Sequence, residues 1–172
     1  MGQRELELIG LFNEDLEIRV DRQVLHKVVS GLLKNAIEST PEEGRIELRA
    51  EKREKSVRIW VQDHGVGITP INRTLVFGGF FHTVDTALYS SKKPYAFGAG
   101  GAGADLLRMK VFSERLGFSI GFETTRCPHI PADTDVCPGR ISGCPFATER
   151  EICLRTGGST FYVDFPISKF CR

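Results

Sequence analysis

The sequence predicts a two-layer α/β sandwich, in which helices cover one face of a five-stranded sheet. Three observations lead to this fold class. Five short runs alternate apolar and polar residues, two longer runs repeat apolar residues at helical spacing, and the order is strand, helix, two strands, long loop, helix, two strands. A chain of 172 residues with 41% hydrophobic side chains suits a single domain, over residues 1–172, with a sizeable core.

Alternation of apolar and polar residues marks five half-buried strands. They are expected at Leu16–Val20, Ile46–Ala50, Val57–Val61, Phe118–Phe122 and Phe161–Phe165. A short polar segment, EKREKS, separates the second strand from the third, so we expect these two to form an antiparallel hairpin.

Helical spacing appears twice. The first helix is predicted from Asp21 to Ser39, with apolar residues at positions i, i+3, i+4 and i+7 and with Asp21 as its N-terminal cap. The second helix is predicted over residues 104–116, and Gly117 is expected to end it.

Two long segments lack a sustained period. Residues 69–97 are expected to form a lid, because long irregular loops in a compact domain usually serve binding. Residues 126–158 form a second irregular segment, which contains four of the five cysteines.

Charge and hydropathy argue against several kinds of partner. The net charge of +1 gives no reason to expect nucleic acid or an anionic membrane. No apolar run is long enough to cross a bilayer, and the first ten residues lack the profile of a signal peptide. We therefore expect a cytoplasmic domain, whose cysteines are free, metal-binding or redox-active rather than structural disulfides.

Two short motifs carry polar residues at positions suited to a ligand. Asn35, in the first helix, projects from the edge of the apolar stripe, where its amide needs a partner. Asp63 ends the third strand, where its carboxylate can accept from the exocyclic amine of adenine, and Gly65 and Gly67 permit close approach of a flat ligand. Taken singly, these motifs also fit a core-edge Asn and a simple turn.

A third motif is the glycine-rich stretch FGAGGAGADLL ahead of the second helix. Bare backbone at a helix N-terminus is suited to cradle phosphate. The same composition is typical of a lid hinge.

The order and spacing of these motifs resemble the catalytic ATP-binding domain of sensor histidine kinases. The run LLKNAIEST resembles the N box of that family, DHGVGI its G1 box, GGFFHT its F box and GAGGAGADL its G2 box. The resemblance covers about Leu16 to Phe165, interrupted by the cysteine segment. It implies the Bergerat fold, with a mixed, mostly antiparallel sheet, shared with DNA gyrase, MutL and certain heat-shock chaperones.

The resemblance also implies roles for single residues. Asn35 would help to hold Mg²⁺ between the nucleotide phosphates, as the catalytic residue of the N box. Asp63 would bind adenine, with Gly65 and Gly67 beside it.

The rest of the nucleotide site would come from the lid and the glycine loop. Phe80 and Phe81 resemble the aromatic residues that anchor the lid. Gly101 and Gly103 match the first two glycines of the family's loop, and the third falls on Asp105.

Two explanations of Asp105 stay open. Its carboxylate would compete with phosphate at the helix N-terminus, or the cradle lies earlier and Asp105 points aside. We favour the second, because a carboxylate near a triphosphate weakens binding unless Mg²⁺ or Lys92 and Lys93 offset its charge. The earlier cradle would consist of Gly98, Gly100, Gly101 and Gly103.

Two departures in the first helix bear on activity. Gly31 stands where kinases usually carry a second Asn and where ATP-hydrolysing members carry a Glu that activates water. Glu38 replaces a basic residue common in sensor kinases. We therefore expect no ATP hydrolysis of the gyrase type.

The resemblance implies one half of a protein-histidine kinase. The domain would bind Mg²⁺-ATP and donate the γ-phosphate to a histidine on a dimerisation domain of the same or another chain, with a response regulator as an indirect partner. None of the four histidines, His26, His64, His82 and His129, lies in the helical hairpin that such an acceptor needs. The alternative is a degenerate nucleotide-binding or metal- or redox-sensing regulatory module without kinase activity.

Four cysteines have no counterpart in the sensor-kinase pattern: Cys127, Cys137, Cys144 and Cys153. Four thiolates in a loop poor in apolar residues could fold around Zn²⁺ or an iron–sulfur cluster. The paired Cys-x-x-Cys spacing typical of such sites is absent, so redox-active, disulfide-paired and inert thiols stay open as alternatives.

Overall fold

A computed structural model describes residues 4–13, 15–78, 95–98, 104–147 and 149–167. The described strands are β1 (Glu7–Phe12), β2 (Arg45–Lys52), β3 (Ser56–Asp63), β4 (Ser119–Thr125) and β5 (Gly158–Pro166). The described α-helices are α1 (Arg22–Ser39), α2 (Ala104–Leu116) and α3 (Arg150–Thr156), and short 3-10 turns occupy Asn72–Leu75 and Ile141–Gly143.

The five strands form one mixed sheet in the order β1-β2-β3-β5-β4. β1 runs parallel to β2, and the other three pairs are antiparallel. The register places Asp63 of β3 opposite Ser159 of β5, which in turn lies opposite Thr124 of β4. Three polar residues from three strands therefore meet at one end of the sheet, on one face.

The core lies between this face and the helices. Along β3, Val57, Ile59 and Val61 are buried, as alternation predicts, and Val28 and Leu32 of α1 pack in the same buried cluster. This arrangement confirms the predicted two-layer α/β sandwich with a mixed, mostly antiparallel sheet.

The predicted hairpin and both predicted helices are confirmed. β2 and β3 pair in antiparallel register across a short turn. The Asp21 carboxylate caps α1 by accepting from the backbone N–H groups of Gln23 and Val24. α2 ends before Gly117, whose φ of 70° is the left-handed conformation of a helix stop.

The first strand was predicted in the wrong place. Residues 16–20 form no strand; Leu16, Ile18 and Val20 instead pack, partly buried, against the core. The actual edge strand is β1, where Leu8 and Phe12 are 62% and 61% exposed. An exposed edge strand buries neither face, so its sequence lacks the alternation that the extended segment 16–20 shows.

α3 was not predicted, because it lies in the segment expected to be irregular. It has two turns, and Leu154 is the buried residue of this helix. So short a helix carries little apolar periodicity.

None of the helices in the described parts of the chain is both long and apolar enough to span a bilayer.

Candidate functional site

Asp63 is the buried centre of the candidate site. It ends β3 on the helix-covered face, with 2% of its surface exposed. Its Oδ1 accepts the backbone N–H groups of Gly65 at 3.0 Å and Ser159 at 3.2 Å. Burial raises the pKa of this carboxyl to about 7. The two N–H donors act to lower the pKa, but the effect of burial is larger. One carboxylate oxygen is thus held by backbone donors, and the group titrates near neutral pH.

Gly65 and Gly67 make room for the chain's own backbone. A side-chain carbon at Gly65 would overlap the carbonyl oxygen of Ser39, at the end of α1. At Gly67, whose φ is 69°, it would overlap the carbonyl oxygen of Thr125, at the end of β4. The two glycines therefore let the loop after β3 lie against both elements, a structural requirement that sequence reasoning assigned to a flat ligand.

Asn35 lies half-buried on α1, directly before the buried Ala36. None of the described residues forms a hydrogen bond with its side-chain amide. The amide oxygen is therefore uncommitted within that part of the structure.

Asp105 forms an ion pair with α1. It lies in the first turn of α2, and its Oδ2 is 3.2 Å from the Lys34 ammonium; Oδ1 is 3.5 Å from the Arg108 guanidinium. Burial opposes the charge on Lys34, but the hydrogen bond that Lys34 donates to Asp105 and the negative charge of nearby Glu38 outweigh this effect, so the pKa of Lys34 is raised. Sequence reasoning looked to Lys92 and Lys93 for compensation and missed Lys34, one residue before Asn35.

Gly98 anchors the start of the glycine loop to α1. Its N–H donates to the carbonyl oxygen of Glu38 at 2.8 Å. Next to it, burial raises the pKa of the Glu38 carboxyl, although the Lys34 charge and the Tyr95 N–H act to lower it. Because its N–H is already bonded, Gly98 does not offer a free donor to phosphate in this conformation, contrary to the predicted cradle.

The remaining predicted site residues lie outside the described residues. These are Lys92, Lys93, Gly100, Gly101 and Gly103, together with Phe80 and Phe81 of the expected lid.

Gly31 lets the two main helices pack closely. A side-chain carbon at Gly31 would lie 2.8 Å from the terminal methyl of Met109 on α2. The position at which the sequence analysis looked for a carboxylate is here covered by the Met109 thioether.

His64, within the Asp63 motif, links the sheet to α3. Its Nδ1 lies 2.6 Å from the carbonyl oxygen of Leu154, and its Nε2 is 3.4 Å from the Glu47 carboxylate. The residue is buried, so this histidine joins the end of β3 to α3 and to Glu47 of β2.

An open depression of about 450 Å³ lies at the same end of the sheet, beside α3. Its lining comes from the ends of β3 and β4, from the start of β5 and from α3. Asp63 and Ser159 are among its lining residues, whereas none of the described residues of α1 or α2 lines it.

The four cysteines of the insertion are all free and half-buried: Cys127, Cys137, Cys144 and Cys153. Within the described residues, no three His, Cys, Asp or Glu side chains are arranged to hold a metal ion. The predicted Zn²⁺ or iron–sulfur site is therefore not formed in this conformation.

Comparison with known proteins yields one matching family. Residues 20–169 match the family described as histidine kinase-, DNA gyrase B- and HSP90-like ATPase. The sensor protein GacS of Pseudomonas syringae pv. syringae is 32% identical over 129 residues, covering 71% of this chain and 13% of GacS. The sensor protein IrlS of Burkholderia pseudomallei (strain K96243) is 28% identical over 114 residues, covering 66% and 22%. The chain thus spans only a small part of these curated relatives.

Several solved structures share the fold. The mycobacterial sensor histidine kinase MprB superposes with a TM-score of 0.61 at 19% identity, covering 95% of this chain and 85% of that one. Full-length ShkA in complex with AMPPNP gives a TM-score of 0.61 at 21% identity, covering 94% and 25%. Histidine kinase ThkA in complex with the response regulator TrrA gives a TM-score of 0.56 at 21% sequence identity. The match covers 96% of this chain and 36% of that one. At these identities the likeness concerns the fold.

Proposed function

The chain belongs to the family of histidine kinase-, DNA gyrase B- and HSP90-like ATPases, and we propose that it binds Mg²⁺-ATP as the catalytic domain of a sensor histidine kinase. The observation that carries this proposal is the buried, fixed position of the Asp63 carboxylate. Its carboxylate is buried, fixed by two backbone donors through one oxygen, and placed at the end of β3 on the face that α1 covers. A fixed buried acceptor of this kind selects a ligand that presents a donor, as the exocyclic amine of adenine does.

The residues along α1 suit the phosphate end of the same ligand. Asn35 presents an amide oxygen that no described residue engages, and such hard oxygen donors are the ligands that Mg²⁺ prefers. When bound, Mg²⁺ would supply positive charge that offsets the charge of the phosphates during transfer, and Asn35 would be one of the residues that hold it. Lys34 lies next in sequence and holds Asp105, so the carboxylate at the start of α2 is already neutralised by a cation.

The proposed reaction is phosphoryl transfer to a histidine on a separate dimerisation domain. The acceptor imidazole nitrogen bonds to the γ-phosphorus while the bond to the bridging oxygen breaks, so ADP leaves with that electron pair. The chain's residues contribute by holding adenine and phosphates in line. We further propose a cytoplasmic location, where ATP is present, and a response regulator as indirect partner, by analogy with ThkA and TrrA.

The first test is calorimetric titration of Mg²⁺-ATP and ADP into wild type and Asp63→Asn. The asparagine side chain keeps an oxygen for the Gly65 and Ser159 N–H groups but replaces the other oxygen with a donor, which opposes the adenine amine. We expect micromolar binding by the wild type and at least about tenfold weaker binding by D63N. Asp164→Asn, the same change beside Arg58 on the opposite sheet face, is the matched control and should bind like wild type.

Equal affinity of D63N and wild type would contradict the assignment of adenine to Asp63. Absence of binding by the wild type would favour the second candidate, a regulatory module that no longer uses nucleotide. Two observations favour that candidate: Met109 covers Gly31, and the Gly98 N–H is engaged by Glu38. Phosphotransfer from ATP to a supplied histidine-containing dimerisation hairpin separates a binding-only domain from a kinase.

A further inference from the structure

The C-terminal end of α1 is held by an arginine from another part of the chain. An α-helix leaves its last carbonyl groups without partners in the helix, and a positive charge near that end is favourable. The last turn of α1 contains no basic residue of its own. Arg4, in the segment before β1, supplies the charge: Nη1 donates to the carbonyl oxygen of Ile37 at 3.2 Å, and Nη2 donates to that of Thr40 at 2.5 Å. The Arg4 guanidinium therefore caps the helix.

The same guanidinium also holds the chain at Tyr95. Its Nη1 donates to the Tyr95 carbonyl oxygen at 2.6 Å. Tyr95 has a φ of 69°, a left-handed conformation that a residue with a side chain keeps only where its surroundings hold it. The Tyr95 N–H donates to the Glu38 carboxylate, and the Gly98 N–H donates to the Glu38 carbonyl oxygen. Residues 95–98 are thus fastened to the end of α1 by Arg4 and Glu38 together.

Arg4 is itself fixed in place. Its side chain is 15% exposed, and its Nε lies 2.5 Å from one carboxylate oxygen of Glu42. The other Glu42 oxygen accepts the backbone N–H of Glu5 at 2.7 Å. Because a guanidinium is a planar fork of donors, it reaches carbonyl groups on two separate segments at once, which the compact ammonium of a lysine does less well. The contacts of Arg4 therefore depend on its shape as well as on its charge.

The last turn of α1 also meets the loop that follows Asp63. The carbonyl oxygen of Ser39 occupies the place that a side-chain carbon on Gly65 would take, so the helix end and this loop are in contact. The N–H of Gly65 in turn holds Oδ1 of Asp63. Asn35 lies about one turn before Ser39 on the same helix. A shift of the end of α1 would therefore move Asn35 relative to Asp63.

We propose that Arg4 is a positioning residue of the nucleotide site. By joining the end of α1 to Tyr95, it sets the position of Asn35, at the phosphate end, relative to Asp63, at the adenine end. Arg4 acts through the helix and makes no contact with the nucleotide itself. This inference rests on the proposed function, since it assigns a role within the site that binds Mg²⁺-ATP.

The first measurement is amide hydrogen exchange of the wild type and of Arg4→Gln (R4Q), which removes both the charge and the fork. We expect exchange of the Tyr95 and Gly98 N–H groups to become at least about tenfold faster in R4Q. Arg19→Gln (R19Q) removes the same charge from an exposed position and should leave the exchange of these two groups unchanged. Exchange at the wild-type rate in R4Q would overturn the proposal.

The second measurement is calorimetric titration of Mg²⁺-ATP. R4Q should bind about tenfold more weakly than wild type, and R19Q should bind like wild type. Arg4→Lys (R4K) should lie between R4Q and wild type, because it keeps the charge at the helix end but not the fork. In an Asn35→Ala background the effect of R4Q should shrink to less than about threefold, because the two residues act on the same end of the ligand.

Three outcomes of the titration bear on different claims. The same fold-change for R4Q in the wild-type and Asn35→Ala backgrounds would show that Arg4 only stabilises the fold, which would overturn the positioning role. Equal affinity of R4Q and wild type would also overturn it, while the proposed function stands. No binding by the wild type would overturn the proposed function, and this inference with it. Circular dichroism establishes that each variant is folded, and if R4Q is not, R4K against wild type decides by the same criteria.

Discussion

At the scale of single residues, Asp63 serves both the fold and the proposed ligand. Its Oδ1 accepts N–H groups from the loop after β3 and from the start of β5, so the carboxylate closes the end of the sheet. Burial at the same time penalises its charge. Burial of the ionised Asp63 carboxylate therefore lowers the stability of the folded chain.

The pH dependence of the free energy of unfolding should reveal this loss of stability. The pKa of Asp63 rises from an ordinary 3.8 to about 7 in the folded chain. Between these pH values the unfolded chain has lost a proton that the folded chain retains, so this group's contribution to the free energy of unfolding falls as pH rises. Above pH 7 the free energy of unfolding has lost this contribution completely, and the loss amounts to at most about 4 kcal/mol.

Asp63→Asn removes the titration while keeping the acceptor for the two N–H groups. Urea unfolding between pH 4 and 8 should show that D63N gains stability relative to wild type as pH rises. Parallel curves for the two proteins would mean that Asp63 is ionised throughout this range.

Gly67 and Gly98 form a matched pair for testing the backbone. Both have a φ of 69°. At Gly67 a side-chain carbon would meet another chain segment, at Thr125, whereas at Gly98 no atom of the described residues lies within 4 Å of it. Gly98→Ala should therefore cost about 1 kcal/mol, from backbone strain alone, and Gly67→Ala about 3 kcal/mol or more. Chemical denaturation measures both, and equal costs would show that Gly67 is not packed against β4.

At the scale of elements, the contact between α1 and α2 decides what surrounds the proposed phosphates. Gly31 allows Met109 to approach α1, and Lys34 holds Asp105. The Asp105 side chain is 43% exposed, so its ion pair contributes little to stability, below about 1 kcal/mol. Its effect should instead appear in nucleotide affinity.

Asp105→Asn should tighten Mg²⁺-ATP binding about fivefold, because it removes a negative charge and frees Lys34 to interact with phosphate. Glu114→Gln, which removes an exposed carboxylate farther along α2, is the control and should leave affinity unchanged. Titration calorimetry at constant ionic strength measures both. Weaker binding by D105N would mean that Asp105 is needed to position Lys34 or the start of α2.

At the scale of the whole molecule, the insertion between β4 and β5 forms hydrogen bonds with two separate parts of the domain. Asp133 accepts from the Thr69 hydroxyl and from Asn72, at the start of the segment expected to form the lid. In the second part, Arg140 bonds the carboxylates of Glu5 and Glu43. The insertion therefore packs as part of the domain.

The sequence by itself determined the layer architecture, both long helices with their ends, and four of the five strands. These elements bury one face, so their apolar periodicity appears in the chain itself. Asp63 was found in the same way, because a carboxylate at the end of a buried strand, followed by two glycines, stands out from its neighbours. β1 and α3 were not predicted, because an exposed edge strand and a two-turn helix bury too few apolar residues to show a periodic pattern in the sequence.

Only the tertiary structure decided which residues meet. The partners of Asp105, Gly31 and Gly98 are Lys34, Met109 and Glu38, each distant in sequence and joined by the packing of helices and loops. The insertion is likewise attached to the rest of the domain by hydrogen bonds that join Cys127 to Val66, Leu154 to His64 and Ser142 to Glu43. Periodicity records only whether a residue is buried, and the partner across the core is set by how separate elements pack together.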